Sequence, residues 1–131
     1  MILPIITQFV FEEIDSSFIS ASIITIIFGS LFLLSNMEND KKLNLHQAFL
    51  LTSLSWMSVA IFGSLPFIFS NLNLSITDSF FESMSGITTT GSTIITNLDL
   101  APKGILMWRA ILQWLGGIGI IVMAITLMPI M

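Results

Sequence analysis

Apolar residues fill this chain in long blocks broken by short polar punctuation, and block length gives the first assignment of elements. Residues 1–11 (MILPIITQFVF) are apolar, but Glu12, Glu13 and Asp15 end the run well short of the ~20 helical residues a bilayer core requires. They read as the tail of a span. A signal peptide is the competing reading, and it fails because no lysine or arginine precedes Lys41 and no small-residue cleavage site follows. Phe18 to Ser35 is uncharged and, at roughly 27 Å as a helix, predicts the first complete span. After a polar segment at 36–44 (NMENDKKLN), the apolar pattern resumes at Leu45 and runs to Phe69, through Trp56 and Pro66, as a second span. Ser70 to Thr77 is a loop. The last span opens at Gly104, and Ala110 to Met131 carries no charge, which is long enough to tilt.

One stretch, DSFFESMSGITTTGST at 78–93, does not fit the long blocks. Phe80, Phe81, Met84 and Ile87 recur at helical spacing, with Ser79, Glu82, Ser83 and Gly86 on the other side. As a helix, Asp78 to Thr88 reaches only about 16 Å, roughly half of a ~30 Å hydrocarbon core. Thr77 or Asp78 suits the N-cap, and Ser79 with Glu82 has capping-box spacing. Beyond the hydroxyl-rich turn, Asn97, Asp99 and Pro102 break helix and bring the chain back to the side it left. The predicted class is therefore an all-α integral membrane protein: transmembrane helices plus one re-entrant pore helix and filter loop. The helix pair and loop of residues 1–44 precede a helix, pore loop, helix repeat over 45–131. No second copy of the half-helix pattern occurs in these residues.

Composition agrees with that class: 54% of residues are hydrophobic and 9% charged, with a mean hydropathy of +0.96, far from the charged quarter of a soluble domain. The absence of cysteine excludes disulfides and thiolate chemistry, and the single His46 cannot build a histidine metal site by itself. His46 reads as an interface residue, with a pH switch as a remote second. A net charge of −4 with no basic run gives nucleic acid nothing to bind. Lys41 and Lys42, two of four basic residues, put the 36–44 loop on the cytoplasmic side and the 78–93 stretch on the outer side. Glu12, Glu13, Asp15, Asp78 and Asp99 then fall outside, as solvated loop acids or as a means of raising local cation concentration. Nothing resembles an enzyme: there is no paired nucleophile and base, and GGIG at 116–119 lacks the spacing and strand context of a nucleotide loop. Small residues there favour close helix packing.

Irregular backbone at membrane depth must be buried in protein or line a wet cavity, because each unpaired N–H or C=O in lipid costs several kcal/mol. A passing cation is one partner for such carbonyls, and Gly91 supplies the dihedral freedom to aim them. An ordinary Ser/Thr turn and a substrate-binding hairpin of a secondary transporter are the other two readings of TTTGST. Arg109 lies in the first turns of the last span, with Gln113 and Gly117 continuing its face. It either clamps the loop through Glu82 or the loop carbonyls, or snorkels to the headgroups beside Trp108.

Two adjoining motifs, DSFFESMSGITTTGST and GILMWRAILQWLGGIGIIVMAITLMP, with Leu65 and Pro66 before them, resemble the bacterial Trk-type potassium transport proteins, the TrkH-like subunits related to the Ktr membrane subunits. The resemblance covers nearly the whole chain. It implies a potassium pore of four non-identical repeats around one axis, of which this chain holds the first. The filter strand would then be Thr89, Thr90, Gly91 and Ser92, their carbonyls facing K+, with Glu82, Arg109 and Gln113 supporting the loop. It also implies no cofactor, a cytoplasmic nucleotide-binding regulatory subunit, homodimers, and a place in the bacterial cytoplasmic membrane with the loop entering from outside. His46 and Gln47 depart from the more charged helix start of that family. The chain is expected to begin inside the first helix of an added N-terminal pair and to stop after one repeat, as a fragment inactive without the others. A non-conducting membrane assembly module is the alternative.

Overall fold

The computed structural model describes residues 1–13, 15–36 and 44–127. Among them the chain forms α1 (Ile2–Val10), α2 (Ser17–Ser35), α3 (Leu45–Phe69), α4 (Ile76–Ile87), a 3₁₀ turn at Leu98–Leu100, and α5 (Lys103–Leu127), with no strand. Three helices are long and apolar enough to cross a membrane: Ser17–Ser35, Leu45–Phe69 and Lys103–Ile125. The 36–44 segment that carried the orientation argument, with Lys41 and Lys42, lies largely outside the described residues.

The long helices begin within a residue of their apolar blocks, and α2 and α3 also end with them, because in a chain this apolar the polar punctuation bounds each helix; the end expected for the last span, at 131, lies outside the described residues. α3 starts on a capping box in which the Asn44 N–H donates to Gln47 Oε1 at 3.0 Å. It runs past Pro66 and stops at Phe69. Pro66 has no N–H to give the preceding turn, and the helix ends within one turn of it. Several serine and threonine hydroxyls inside the long helices bond back to the preceding turn, as Ser22 does to the Phe18 carbonyl and Ser58 to that of Leu54, so these need no solvent, whereas the buried Ser17 hydroxyl at the start of α2 has no partner.

The start of α4 differs from expectation. Its N-cap is Ser75, not Thr77 or Asp78, and the capping box pairs Ser75 with Asp78: the Asp78 N–H donates to Ser75 Oγ at 3.1 Å. Ser79 and Glu82 lie deeper in the helix and cap nothing. The 70–77 loop is correspondingly shorter, and at twelve residues α4 is about 18 Å long.

α4 lies between α3 and α5, α1 lies on α5, and α2 lies on α3. The core gathers Phe18, Phe67, Ile95, Ala101, Ile105, Trp108 and Leu112. Trp108 organises it: its ring meets Phe18 edge-on at 6.3 Å, and its indole N–H donates to the Gly63 carbonyl at 2.9 Å. Two glycines admit α4. At Gly63 an added Cβ would lie 2.6 Å from Ser83 Oγ, and at Gly116 it would lie 1.9 Å from the Ile87 carbonyl oxygen. The end of α4 therefore rests on α5 about 20 Å from Lys103, and residues 88–102 return the chain to the start of that same helix.

Candidate functional site

The polar side of α4 is its buried side. Ser79, Glu82, Ser83, Ser85 and Gly86 are all buried, whereas Phe81 is 42% exposed. This inverts the rule for a soluble amphipathic helix, and the chemistry that makes it tolerable centres on Glu82.

The Glu82 side chain is fully buried and spends both oxygens. Arg109 Nε donates to Oε2 at 3.0 Å. Thr93 Oγ1 donates to Oε1 at 2.6 Å, and the Ile94 N–H donates to the same oxygen. The Thr93 hydroxyl also accepts from the Ile95 N–H at 3.0 Å. One carboxylate thus joins α4, α5 and the segment that follows the TTTGST turn. The charge is matched and the lone pairs are used, the condition under which a buried ion is sustainable. Arg109 points inward to this carboxylate rather than outward beside Trp108.

The turn itself is held from α4. The Thr88 N–H reaches the Met84 carbonyl, the Thr89 N–H reaches that of Gly86, and the Gly91 N–H reaches that of Ser85 at 3.2 Å. Ser85 Oγ donates to the Ser92 carbonyl at 2.6 Å. Thr88 and Thr90 hydroxyls bond each other at 3.0 Å. Thr89 and Gly91 take positive φ, 59° and 76°. Glycine meets that requirement freely, while Thr89, β-branched, is strained there. Thr88 to Ile94 is otherwise exposed along its outer side. Gln113, half-buried on α5, brings its amide to within 3.6 Å of where a Cβ on Gly91 would stand. Among the described residues no group of three His, Cys, Asp or Glu side chains is placed to hold a metal ion.

The family model described as TrkH, cation transport protein, matches residues 14–131. This chain belongs to the TrkH family. Among its relatives is the Trk system potassium uptake protein TrkH of Halomonas elongata, 43% identical over 131 residues, which cover 98% of this chain and 27% of the relative. The TrkH of Escherichia coli K12 is 40% identical over 133 residues, covering all of this chain and 28% of that protein. The Halomonas elongata Trk system potassium uptake protein TrkI is 52% identical over 83 residues, 63% of this chain and 17% of the relative. The chain therefore spans little more than a quarter of the length of the TrkH proteins it matches.

Of the residues singled out from sequence, this TrkH-family chain brings Glu82 and Arg109 into direct contact and sets Gln113 beside Gly91. Thr89, Thr90 and Gly91 lie together on the exposed turn, and Ser92 follows with its carbonyl already engaged by Ser85. Gly117 meets nothing within 4 Å, so close packing belongs to Gly116 and, against Trp56, to Gly119. Sequence reasoning missed Ser85, Thr93 and the N-cap Ser75. Ser85 and Thr93 stand one helical turn and one extended segment from residues already chosen, and no spacing rule links an acid to a hydroxyl eleven positions on.

Proposed function

We propose that this chain takes part in potassium uptake across the bacterial cytoplasmic membrane by supplying one of four selectivity-filter strands. The carrying observation is that the 88–94 turn is braced from behind by Glu82 and Ser85 while its other side is open. α4 is the pore helix: it enters beside the start of α5, stops midway, and its negative end favours a cation there. The loop enters from the outer side. The carbonyls of Thr89, Thr90 and Gly91 replace the hydration shell of K+, the transported ion. Ser92, with one lone pair taken, offers its second.

Residues 45–131 form the helix, pore loop, helix repeat, and residues 1–44 an added helix pair. Glu82 and Arg109 fix the strand and Gln113 backs it. The remaining repeats, lipid, a second copy of the transporter and a cytoplasmic nucleotide-binding regulator are the partners, and no cofactor or enzymatic step is involved. The relatives named for potassium uptake support the ion.

Expression with the rest of the transporter should restore growth of an uptake-deficient bacterium on low potassium, and Gly91→Asp should abolish it. The substitution puts a side chain at φ 76° and a carboxylate among the carbonyls. Unchanged growth with Gly91→Asp would sink the filter assignment.

A further inference from the structure

α5, whose Arg109 holds the Glu82 carboxylate that braces the loop, has no cap of its own. α3 and α4 each begin on a capping box built from adjacent sequence, Asn44 with Gln47 and Ser75 with Asp78. α5 has no acidic residue in its first turn, and the residues before it, Ala101 and Pro102, carry no side-chain acceptor. The Ile105 and Leu106 N–H groups bond the Pro102 carbonyl. The Lys103 N–H instead donates to Glu13 Oε2 at 2.7 Å, across 90 residues of sequence. A carboxylate at that point satisfies an orphan donor and complements the positive end of the helix.

The contact is a built socket. The Glu13 N–H is itself held by the Gln8 carbonyl at 3.0 Å, after Glu12 turns the chain at φ 56°. Gln8 is 4% exposed, and its Cγ lies 2.7 Å from where a Cβ on Gly104 would be, with Phe18 Cε2 at 3.1 Å from that point. Gln8, Glu13 and Phe18 therefore close around Lys103 and Gly104. Less than two helical turns on, Trp108 is pinned by Phe18 and Gly63, and Arg109 leaves for Glu82.

We infer that Glu13 is a positioning residue for ion binding: by capping α5 from the N-terminal segment, it sets the axial position and rotation of the turn from which Arg109 holds the filter loop. This rests on the proposed filter role of residues 89–92. The N-terminal pair is then a strut for the loop rather than an appendage beside it.

The test is rubidium uptake by the complete transporter in an uptake-deficient bacterium, with KM and maximal rate per membrane-inserted protein measured separately. Glu13→Ala removes the acceptor and should raise KM by about tenfold, with maximal rate little changed. Glu13→Gln keeps an acceptor oxygen and loses the charge, and should raise KM by about two- to threefold. In an Arg109→Lys background, Glu13→Ala should add little, since both act on one turn. Should Glu13→Ala fail to reach the membrane, Glu13→Gln carries the test. Parental KM in either variant at normal membrane level, or loss of both from the membrane, overturns the inference and leaves Glu13 a folding residue. Gly91→Asp run alongside separates the two ideas: if it retains uptake, the filter reading fails; if it abolishes uptake while the Glu13 variants match the parent, only the strut fails.

Discussion

Glu82 divides its carboxylate between two neighbours, one oxygen for Arg109 and one for the loop at Thr93 and Ile94. The two partners depend on it unequally. Glu82→Gln keeps an acceptor for the loop but leaves Arg109 buried beside a neutral amide, whereas Arg109→Met removes the cation and leaves the carboxylate with only the loop donors. Breaking a buried pair from one side costs about 3–5 kcal/mol because a charge is left uncompensated. Either single change should therefore lower the thermal stability of the detergent-solubilised transporter and its rubidium uptake together. The double variant, with both charges gone, should recover part of the stability, and a differential scan of the three proteins checks this. Glu82 and Arg109 were legible in the sequence as charges inside apolar blocks, where a partner is obligatory. Thr93 was not, because a threonine in a hydroxyl-rich turn carries no mark that distinguishes a ligand of carboxylate from a turn former.

At the scale of elements, the long helices were legible because length and lack of charge suffice to specify them. α4 was legible in length and period, but not in its first residues or in which face it buries. Its apolar positions recur at helical spacing, yet the polar side is the one that enters: Glu82 and Ser85 find their partners there, while the Ser79 and Ser83 hydroxyls are buried without one. The fit of α4 to α5 uses Gly86, against Leu112, and most tightly Gly116. Gly116→Ala would put a Cβ 1.9 Å from the Ile87 carbonyl oxygen, a backbone atom that cannot swing aside, while Gly117→Ala enters open space. The first should destabilise by about 1–3 kcal/mol or more, and the second should be neutral within about 0.5 kcal/mol or slightly favourable through helix propensity. Thermal unfolding of the two purified variants gives the comparison, and equal midpoints would contradict the observed approach.

At the scale of the whole molecule, the proposed topology, in which α3 crosses while α4 with its return segment does not, would place residues 70–75 and 96–102 together and His46 opposite. These 131 residues contain no cysteine, so single cysteines introduced here can be read against the otherwise unchanged protein as the labelling control. Asn71→Cys and Asp99→Cys should react with an impermeant maleimide from one face of the cell membrane and His46→Cys only from the other. Labelling of all three from one side would remove α3 as a span. The three helices long and apolar enough to cross were legible through block length alone. The contact between Glu13 and Lys103 was invisible to it, since a cap supplied from 90 residues away leaves no local pattern at either end.

The buried acid of α4 also imposes an order on assembly. When α4 leaves the ribosome, Glu82 has no counter-charge, because Arg109 lies 27 residues downstream, beyond the 88–102 segment and in the second turn of α5. The serine, glycine and glutamate face of α4 gains nothing from lipid, whereas the side carrying Ile76 and Phe81 does. Burial of the Glu82 carboxylate against α5 therefore cannot be complete until Arg109 has been made and brought alongside it.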